Sequence, residues 1–146
     1  MLKIPIVLAS DRNGASQMYT TILSAIDNKS ENSFYDFYCL VPNKFSKRVT
    51  KLFYRLIEKN HNVNLTFVNM KNAFSDIEMQ ISHITSPTFY RLKIAELLPQ
   101  YEKVLYLDID TVVLQDLKEL YKTDLGENYI GGVHSASYVI NEKNTK

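Results

Sequence analysis

The chain has 146 residues, 45% of them hydrophobic, and a formal net charge of +1, enough for the core of one α/β domain and too little for two. With no Lys/Arg-rich run, that charge balance removes nucleic acid from the leading partners. The single cysteine, Cys39, excludes an internal disulfide and, inside the apolar stretch Phe37 to Val41, reads as a buried strand thiol.

Ile4 to Ala9 is a short continuous apolar run, expected to form a strand buried on both faces of a parallel sheet. It contains Pro5 and is too short for a secretory h-region or a membrane span, so a cytoplasmic protein is expected. A polar turn, Ser10 to Gly14, follows. Ala15, Met18, Tyr19, Ile22, Leu23 and Ile26 then recur on one helical stripe. Phe37 to Val41 predicts a second strand, and Ser46 opens a helix with Val49, Leu52, Phe53, Leu56 and Ile57 on one face. Leu65 to Val68 predicts a third strand. Ser86-Pro87 is an N-cap and first-turn pair, opening a helix that Pro99 stops after Leu98. Val104 to Leu107 predicts a fourth buried strand ending at Asp108. Tyr129 to Val133 is a candidate last strand, and residues 141–146 form a polar tail beyond a domain spanning 1–140.

Strands alternating with amphipathic helices predict an α/β fold, a mostly parallel sheet with flanking helices. Such sheets bind ligands beyond the carboxyl ends of their strands, where Asp11 and Asp108 fall. Asp108-Ile109-Asp110 places two carboxylates on one side of an extended backbone. Hard oxygens so placed suit Mg²⁺ or Mn²⁺, and their like charges would repel unless a cation joined them. Eight aspartates in this chain give about 0.4 chance matches to Asp-x-Asp, so the strand-end setting carries the reading, with turn capping by Asp108 and a solvated Asp110 as the alternative. Asp11 and Asn13 offer an acceptor and an amide to a nucleobase or ribose; the plainer role of both is in turns and helix caps. Arg91 falls on the helix face defined by Tyr90, Ile94, Ala95 and Leu98, so it is expected to point into packing and to pair with a strand-end aspartate or a diphosphate. His61 reads as solvated, His83 and His134 lie in irregular segments, and none of the three has metal-ligand spacing with another. The glycines, Gly14, Gly126, Gly131 and Gly132, form no dinucleotide or phosphate-loop fingerprint.

Leu8-Ala9-Ser10-Asp11-x-Asn13, Tyr90-Arg91-Leu92-Lys93 and Lys103-Val104-Leu105-Tyr106-Leu107-Asp108-Ile109-Asp110 together resemble glycosyltransferase family 8, which includes bacterial lipopolysaccharide galactosyl- and glucosyltransferases and glycogenin. The likeness runs from about Ile4 to Gly132. The resemblance implies a GT-A (Rossmann-like) nucleotide-sugar-binding fold. It also implies transfer of a hexose, with retention, from a UDP-sugar donor to a saccharide or lipid-linked saccharide acceptor in cell-surface glycan synthesis. Asp108 and Asp110 would hold Mn²⁺ (or Mg²⁺). Ala9, Asp11 and Asn13 match residues that contact uridine, Ile109 gives backbone contacts near the ribose, and Arg91 matches the arginine beside the sugar and the aspartate pair. Lys93 is a weaker carry-over. Gly14 stands where bacterial relatives often have a tyrosine stacked on uracil.

Family members continue for roughly another hundred residues and supply from there a third metal ligand, a histidine, and most of the acceptor site; His134 lies too near the strand to stand in for it. The chain is therefore expected to be truncated at its C-terminus, binding UDP and metal weakly and transferring little sugar. Peripheral association with the inner face of the membrane stays open, as does oligomeric state. Two other readings compete. One is a non-catalytic UDP-sugar-binding module. The other is a haloacid dehalogenase-like phosphohydrolase, because Asp108-Ile109-Asp110-Thr111 follows a strand and Asp108 could be a nucleophile. That family starts its core with this strand and places a lysine and acidic ligands well downstream.

Overall fold

The structure, a computed structural model, describes residues 1–42, 45–71, 73–74 and 86–133. The N-terminal apolar run forms strand β1 (Leu2–Ala9). Its side chains alternate between faces: Ile4, Ile6 and Leu8 enter one apolar cluster, Val7 and Ala9 another. A strand buried on both sides needs cover on both sides.

One cover comes from helices α1 (Ala15–Asp27) and α2 (Lys47–Glu58), which flank strand β2 (Ser33–Val41) in the chain and precede strand β3 (Val63–Asn69). Met18, Ile22, Ala25 and Ile26 of α1 and Phe53 and Leu56 of α2 are buried against Ile4, Ile6, Leu8, Tyr35 and Phe37. The Ser46 hydroxyl caps α2 by accepting from the Val49 amide at 3.4 Å. Leu52, expected on the buried face, is 48% exposed, because α2 packs through a narrower stripe centred on Phe53. Phe53 also makes aromatic contacts with Tyr19, Phe45 and Phe67, tying α1 and β3 to α2.

The other face is covered by the segment following Ser86. The expected single helix to Leu98 is broken into α3 (Ser86–Tyr90), a 3₁₀ turn (Arg91–Lys93) and α4 (Ile94–Leu97). Tyr90 and Leu98 are buried with Val7, Ala9 and Leu40. The tighter 3₁₀ turn shifts the side chains after Tyr90 out of register with an α-helical stripe, so Leu92 is 71% exposed and Arg91 and Ala95 face outward as well.

The sheet is parallel throughout, in the order β3-β2-β1-β4, with β4 being Leu105–Tyr106. Ile6 pairs with Leu105 and Val7 with Tyr106, and the Leu107 amide extends the pairing to the Val7 carbonyl at 3.0 Å. β4 is shorter than Val104 to Leu107 and only half-buried, with β1 as its one neighbour among the described residues. Beyond it Val113 and Leu117 are buried, leading into helix α5 (Lys118–Lys122). Tyr129 to Val133 forms no strand: no described strand pairs with it, and Tyr129, Ile130 and Val133 are 99%, 85% and 92% exposed. The 141–146 tail lies outside the described residues. Cys39 is buried, and burial pushes its thiol pKa up. Among the described residues no helix is long and apolar enough to cross a membrane.

β2 starts at Ser33, ahead of the expected Phe37, because Ser33 to Asp36 pair with Leu2 to Pro5. Two buried polar residues in this stretch are satisfied from elsewhere. The Ser33 hydroxyl donates to Asp116 at 2.8 Å; that carboxylate also accepts from the Ser30 amide, the Tyr35 hydroxyl and the Lys118 amide, each at 2.8 Å. Burial opposes ionisation of Asp116, but the Ser30, Tyr35 and Ser33 hydrogen bonds overcome it and hold the carboxyl well below the usual range. Asp36, 1% exposed, meets the Lys3 ammonium at 2.8 Å and accepts from Tyr38, Tyr101 and Asn64. There too burial opposes ionisation, and the Lys3, Tyr101, Asn64 and Tyr38 hydrogen bonds hold the carboxyl below its ordinary value.

Removing that carboxylate strands four donors, of which Lys3 and Asn64 are exposed to water and the Tyr38 and Tyr101 hydroxyls are partly buried. Asp36→Ala is expected to cost about 2–4 kcal/mol at pH 7. Since the folded carboxyl titrates below the unfolded one, its contribution is complete above about pH 4 and fades as pH falls through the folded value. Urea denaturation from pH 7 to pH 3 checks this: the gap between wild type and variant should narrow only below about pH 4.

Candidate functional site

At the carboxyl end of the sheet, β1 has β2 on one side and β4 on the other. The chain leaves β1 to build α1 and β2, and returns to β1's opposite edge only at Leu105. The loops after β1 and β4 therefore emerge side by side with opposite excursions, the switch-point geometry at which open α/β sheets bind ligands.

The first loop is shaped by Asp11, whose Oδ1 accepts from the amides of Asn13 at 2.8 Å and Gly14 at 3.0 Å. The turn role and the site position of Asp11 thus coincide: the carboxylate folds the entry to α1 and leaves Asn13 exposed beside it. Ser10 is buried, and its hydroxyl donates to the Asp11 carbonyl at 2.9 Å. Ala9 is 7% exposed, so it offers a ligand little surface. A Cβ at Gly14 would collide with the Ser10 hydroxyl and the Ile109 Cδ1. The two loops touch there, and Ile109 fills the space next to the position where the resemblance expects tyrosine.

The second loop carries the aspartate pair. It is not the extended segment that the alternation argument assumed. The Thr111 amide and hydroxyl both bond to the Asp108 carbonyl, at 3.3 and 2.8 Å, closing a turn over Asp108 to Thr111 because strand pairing has already ended. Both carboxylates are exposed. Hard carboxylate oxygens on one solvent-facing turn suit Mg²⁺ or Mn²⁺. Among the described residues no group of three or more His, Cys, Asp or Glu forms a cluster. His61 is exposed after α2, and His83 and His134 lie outside the described residues.

Arg91 reaches this turn from the opposite face of the sheet. It is not inward-packed: the side chain is 40% exposed. Its Nε donates to the Thr88 carbonyl at 2.9 Å, its guanidinium lies 4.4 Å from the centre of the Tyr106 ring, and its Nη2 meets Asp108 Oδ1 at 3.3 Å. The partner expected for it, a strand-end aspartate, is the one found. With Asp108 57% exposed, the ion pair contributes only about 0–1 kcal/mol; what the three contacts provide is a fixed guanidinium beside the aspartates. The Tyr106 phenol is pushed up to about 12, first by burial, with Arg91 opposing and the Asp108 and Asp110 carboxylates adding to the rise, so it stays protonated at neutral pH.

Lys93 is not drawn in: it pairs with Glu96 at 2.7 Å. It helps to line an open depression of about 490 Å³ over Asn69 to Lys71 that contains none of the aspartates. A second depression, about 430 Å³, opens between Ser16, Gln17 and Thr20 of α1 and the segment Ile109 to Val112, beside Asp110. Sequence reasoning passed over Thr21, which bonds to the carbonyls of Ile109 and Thr111 from within α1. The signal was present: Thr21, Ser24 and Asn28 recur at steps of three and four beside the apolar stripe.

The family model for Glycosyl transferase family 8 matches residues 5–146. Glycosyltransferase GlyA of Streptococcus pneumoniae serotype 4 is 31% identical over 131 residues, 90% of this chain and 18% of that protein. GlyD of the same organism is 33% identical over 128 residues, 88% of this chain and 15% of that protein. Among solved structures, the WbbM bifunctional glycosyltransferase in its apo form superposes with a TM-score of 0.73 at 35% identity, over 86% of this chain and 22% of that one. The galactosyltransferase LgtC, solved with donor and acceptor sugar analogs, gives 0.68 at 31% identity, over 86% of this chain and 45% of that one. The chain thus spans less than half the length of each of these relatives.

The Gly14 contact can be tested by a double-mutant cycle. Ile109→Val removes the Cδ1 that a Cβ at position 14 would strike, and alone should cost about 0.5–1.5 kcal/mol. In a Gly14→Ala background the same change should cost clearly less, or stabilise, when both pairs are compared by urea denaturation.

Proposed function

The chain belongs to glycosyl transferase family 8 and has the GT-A fold, and on that premise we propose that it forms the donor-binding unit, residues 1–140, of a retaining hexosyltransferase that uses a UDP-sugar. The observation that carries this reading is the meeting of the Asp11 turn, the Asp108 to Thr111 turn and the Arg91 guanidinium at one switch point. Two carboxylates alone describe a cation site. Two carboxylates beside a fixed guanidinium and an exposed Asn13 describe a site for a diphosphate joined to a nucleoside.

In this proposal Asp108 and Asp110 hold a divalent cation, Mn²⁺ or Mg²⁺, whose charge offsets that building on the diphosphate as the sugar leaves. Arg91, held by Thr88 and Tyr106, orients the donor sugar. Asn13 and the Asp11 turn, with the backbone of Ala9 and Ile109, receive the nucleoside. As the bond between the anomeric carbon and the phosphate oxygen breaks, the ring becomes oxocarbenium-like, and fixed charges around the departing oxygen favour that state over the ground state. That LgtC is a galactosyltransferase supports galactose as the hexose, and the family resemblance leaves glucose as the other candidate. A saccharide or lipid-linked saccharide of a cell-surface glycan, lipopolysaccharide among them, is the acceptor class, reached from the cytoplasmic side of the membrane. The family match also weighs against the phosphohydrolase reading, since the stretch that carries the aspartate pair lies within residues 5–146, matched by a glycosyltransferase family.

Calorimetric titration of UDP into the purified chain, with Mn²⁺ and then with chelator, tests the reading. UDP should bind only with the metal, and Asp108→Ala and Asp110→Ala should each weaken binding about tenfold or more. Binding indifferent to chelator and to both substitutions would overturn it. Binding without transfer or hydrolysis of a UDP-hexose would keep the donor site and remove catalysis by this chain.

A further inference from the structure

Thr21 lies in the middle of α1, and its side chain is completely buried. Its hydroxyl oxygen sits 2.7 Å from the carbonyl oxygen of Ile109, 2.9 Å from that of Thr111 and 3.2 Å from that of Gln17. A buried helical threonine ordinarily satisfies itself on the carbonyl four residues back. Here that bond, to Gln17, is the longest of the three, and the two shorter contacts both leave the helix. A threonine has one hydroxyl hydrogen, so a single donor is shared between two carbonyls of the turn.

Those carbonyls belong to the residues immediately before and after Asp110. The Ile109 carbonyl lies in the peptide that enters Asp110 and the Thr111 carbonyl in the peptide after Thr111, while the peptide between Asp110 and Thr111 is held by the Thr111 amide on the Asp108 carbonyl. With Thr21 anchoring the planes on both sides of that turn bond, the direction in which the Asp110 side chain departs is set. The same helix face continues the grip. The Ser24 hydroxyl accepts from the Val113 amide at 3.0 Å, and the Asn28 amide donates to the Val113 carbonyl at 3.1 Å. At its N-terminus α1 is joined to the Asp11 turn, the Met18 amide bonding to the Gly14 carbonyl at 2.9 Å. One helix thus carries both loops of the site.

We propose that Thr21 is a positioning residue for the cation-binding aspartates, its buried hydroxyl bridging the carbonyls on either side of Asp110 and setting that carboxylate relative to Asp108. The inference rests on the donor-site reading above and adds a residue that touches neither cation nor nucleotide. Groups that orient metal ligands from behind typically alter metal affinity by about 10- to 100-fold when removed. Thr21→Val keeps the shape and removes the hydroxyl. Thr21→Ser keeps the hydroxyl and removes the methyl.

The test measures the Mn²⁺ concentration giving half-maximal UDP binding in wild type, Thr21→Val, Thr21→Ser and Asp108→Ala. Leu56→Ala, a core change in α2 far along the chain from the turn, serves as a destabilised control, and all variants are compared at a temperature where each is folded by circular dichroism. Thr21→Val should need about tenfold more Mn²⁺, Thr21→Ser should stay near wild type, and Leu56→Ala should not shift. In the metal-free chain, Thr21→Val should also speed amide hydrogen exchange at Thr111, whose amide closes the turn. Wild-type Mn²⁺ dependence in Thr21→Val, with Asp108→Ala impaired, would overturn this inference and leave the donor site standing. A wild-type chain that binds no UDP with Mn²⁺ would overturn both, and Asp108→Ala would then match it.

Discussion

The site depends on a short stretch of backbone pairing between β1 and β4. Two residue pairs and one further amide bond place the aspartate turn beside the Asp11 turn. At about 1 kcal/mol net per hydrogen bond, so brief a pairing at a sheet edge would fray unless other contacts held the strand in place. They come from behind and below: the polar side chains of α1 hold Ile109 to Val113, Val113 and Leu117 are buried in the core, and Asp116 gathers four donors from the start of β2 and α5. The strand sets the place of the site, and these contacts hold the turn to it.

The electrostatics follow from that placement. Two carboxylates two residues apart, both open to water, repel little through solvent and cost little to leave unpaired. Arg91 offsets part of their charge without burying any of it. Its own position is fixed by a carbonyl three residues back, at Thr88, and by the aromatic face of Tyr106 and the Asp108 carboxylate at the end of β4. A site so arranged keeps its shape without a strong internal ion pair and leaves its charges available to a ligand. The charges that matter for folding are elsewhere: buried Asp36, met by the half-exposed Lys3 toward the opposite, amino-terminal end of the sheet, and half-buried Asp116 behind the loop.

Much of this was legible in the sequence because it follows from local pattern. β1 announced itself by a continuous apolar run, α2 by Ser46 and a 3.6-residue period, and the aspartate pair by its place after a strand. What was missed depends on distant partners. The polar start of β2, with buried Ser33 and Asp36, lies outside the expected strand Phe37 to Val41, and the groups that satisfy those two residues, Asp116, Lys3 and Tyr101, lie far along the chain. Arg91 was placed inward by assuming one unbroken helix, and the 3₁₀ turn moved it. Tyr129 to Val133 has strand-forming residues but no described partner strand, and pairing, which sequence pattern does not supply, decides. Thr21 resembled an ordinary polar position on an amphipathic helix until the turn it grips was in view.

The most direct test of the account is to locate the cation. Adding substoichiometric Mn²⁺ with UDP to an isotopically labelled chain broadens the NMR signals of amides nearest the metal. Broadening centred on Asp108 to Thr111, extending to Arg91 and to Ala9 through Gly14, is the predicted result, since these are the segments that meet at the switch point. Broadening centred on Asp36 or Asp116, or spread evenly over the surface acidic residues, would contradict the claim that the β1–β4 junction is the donor site.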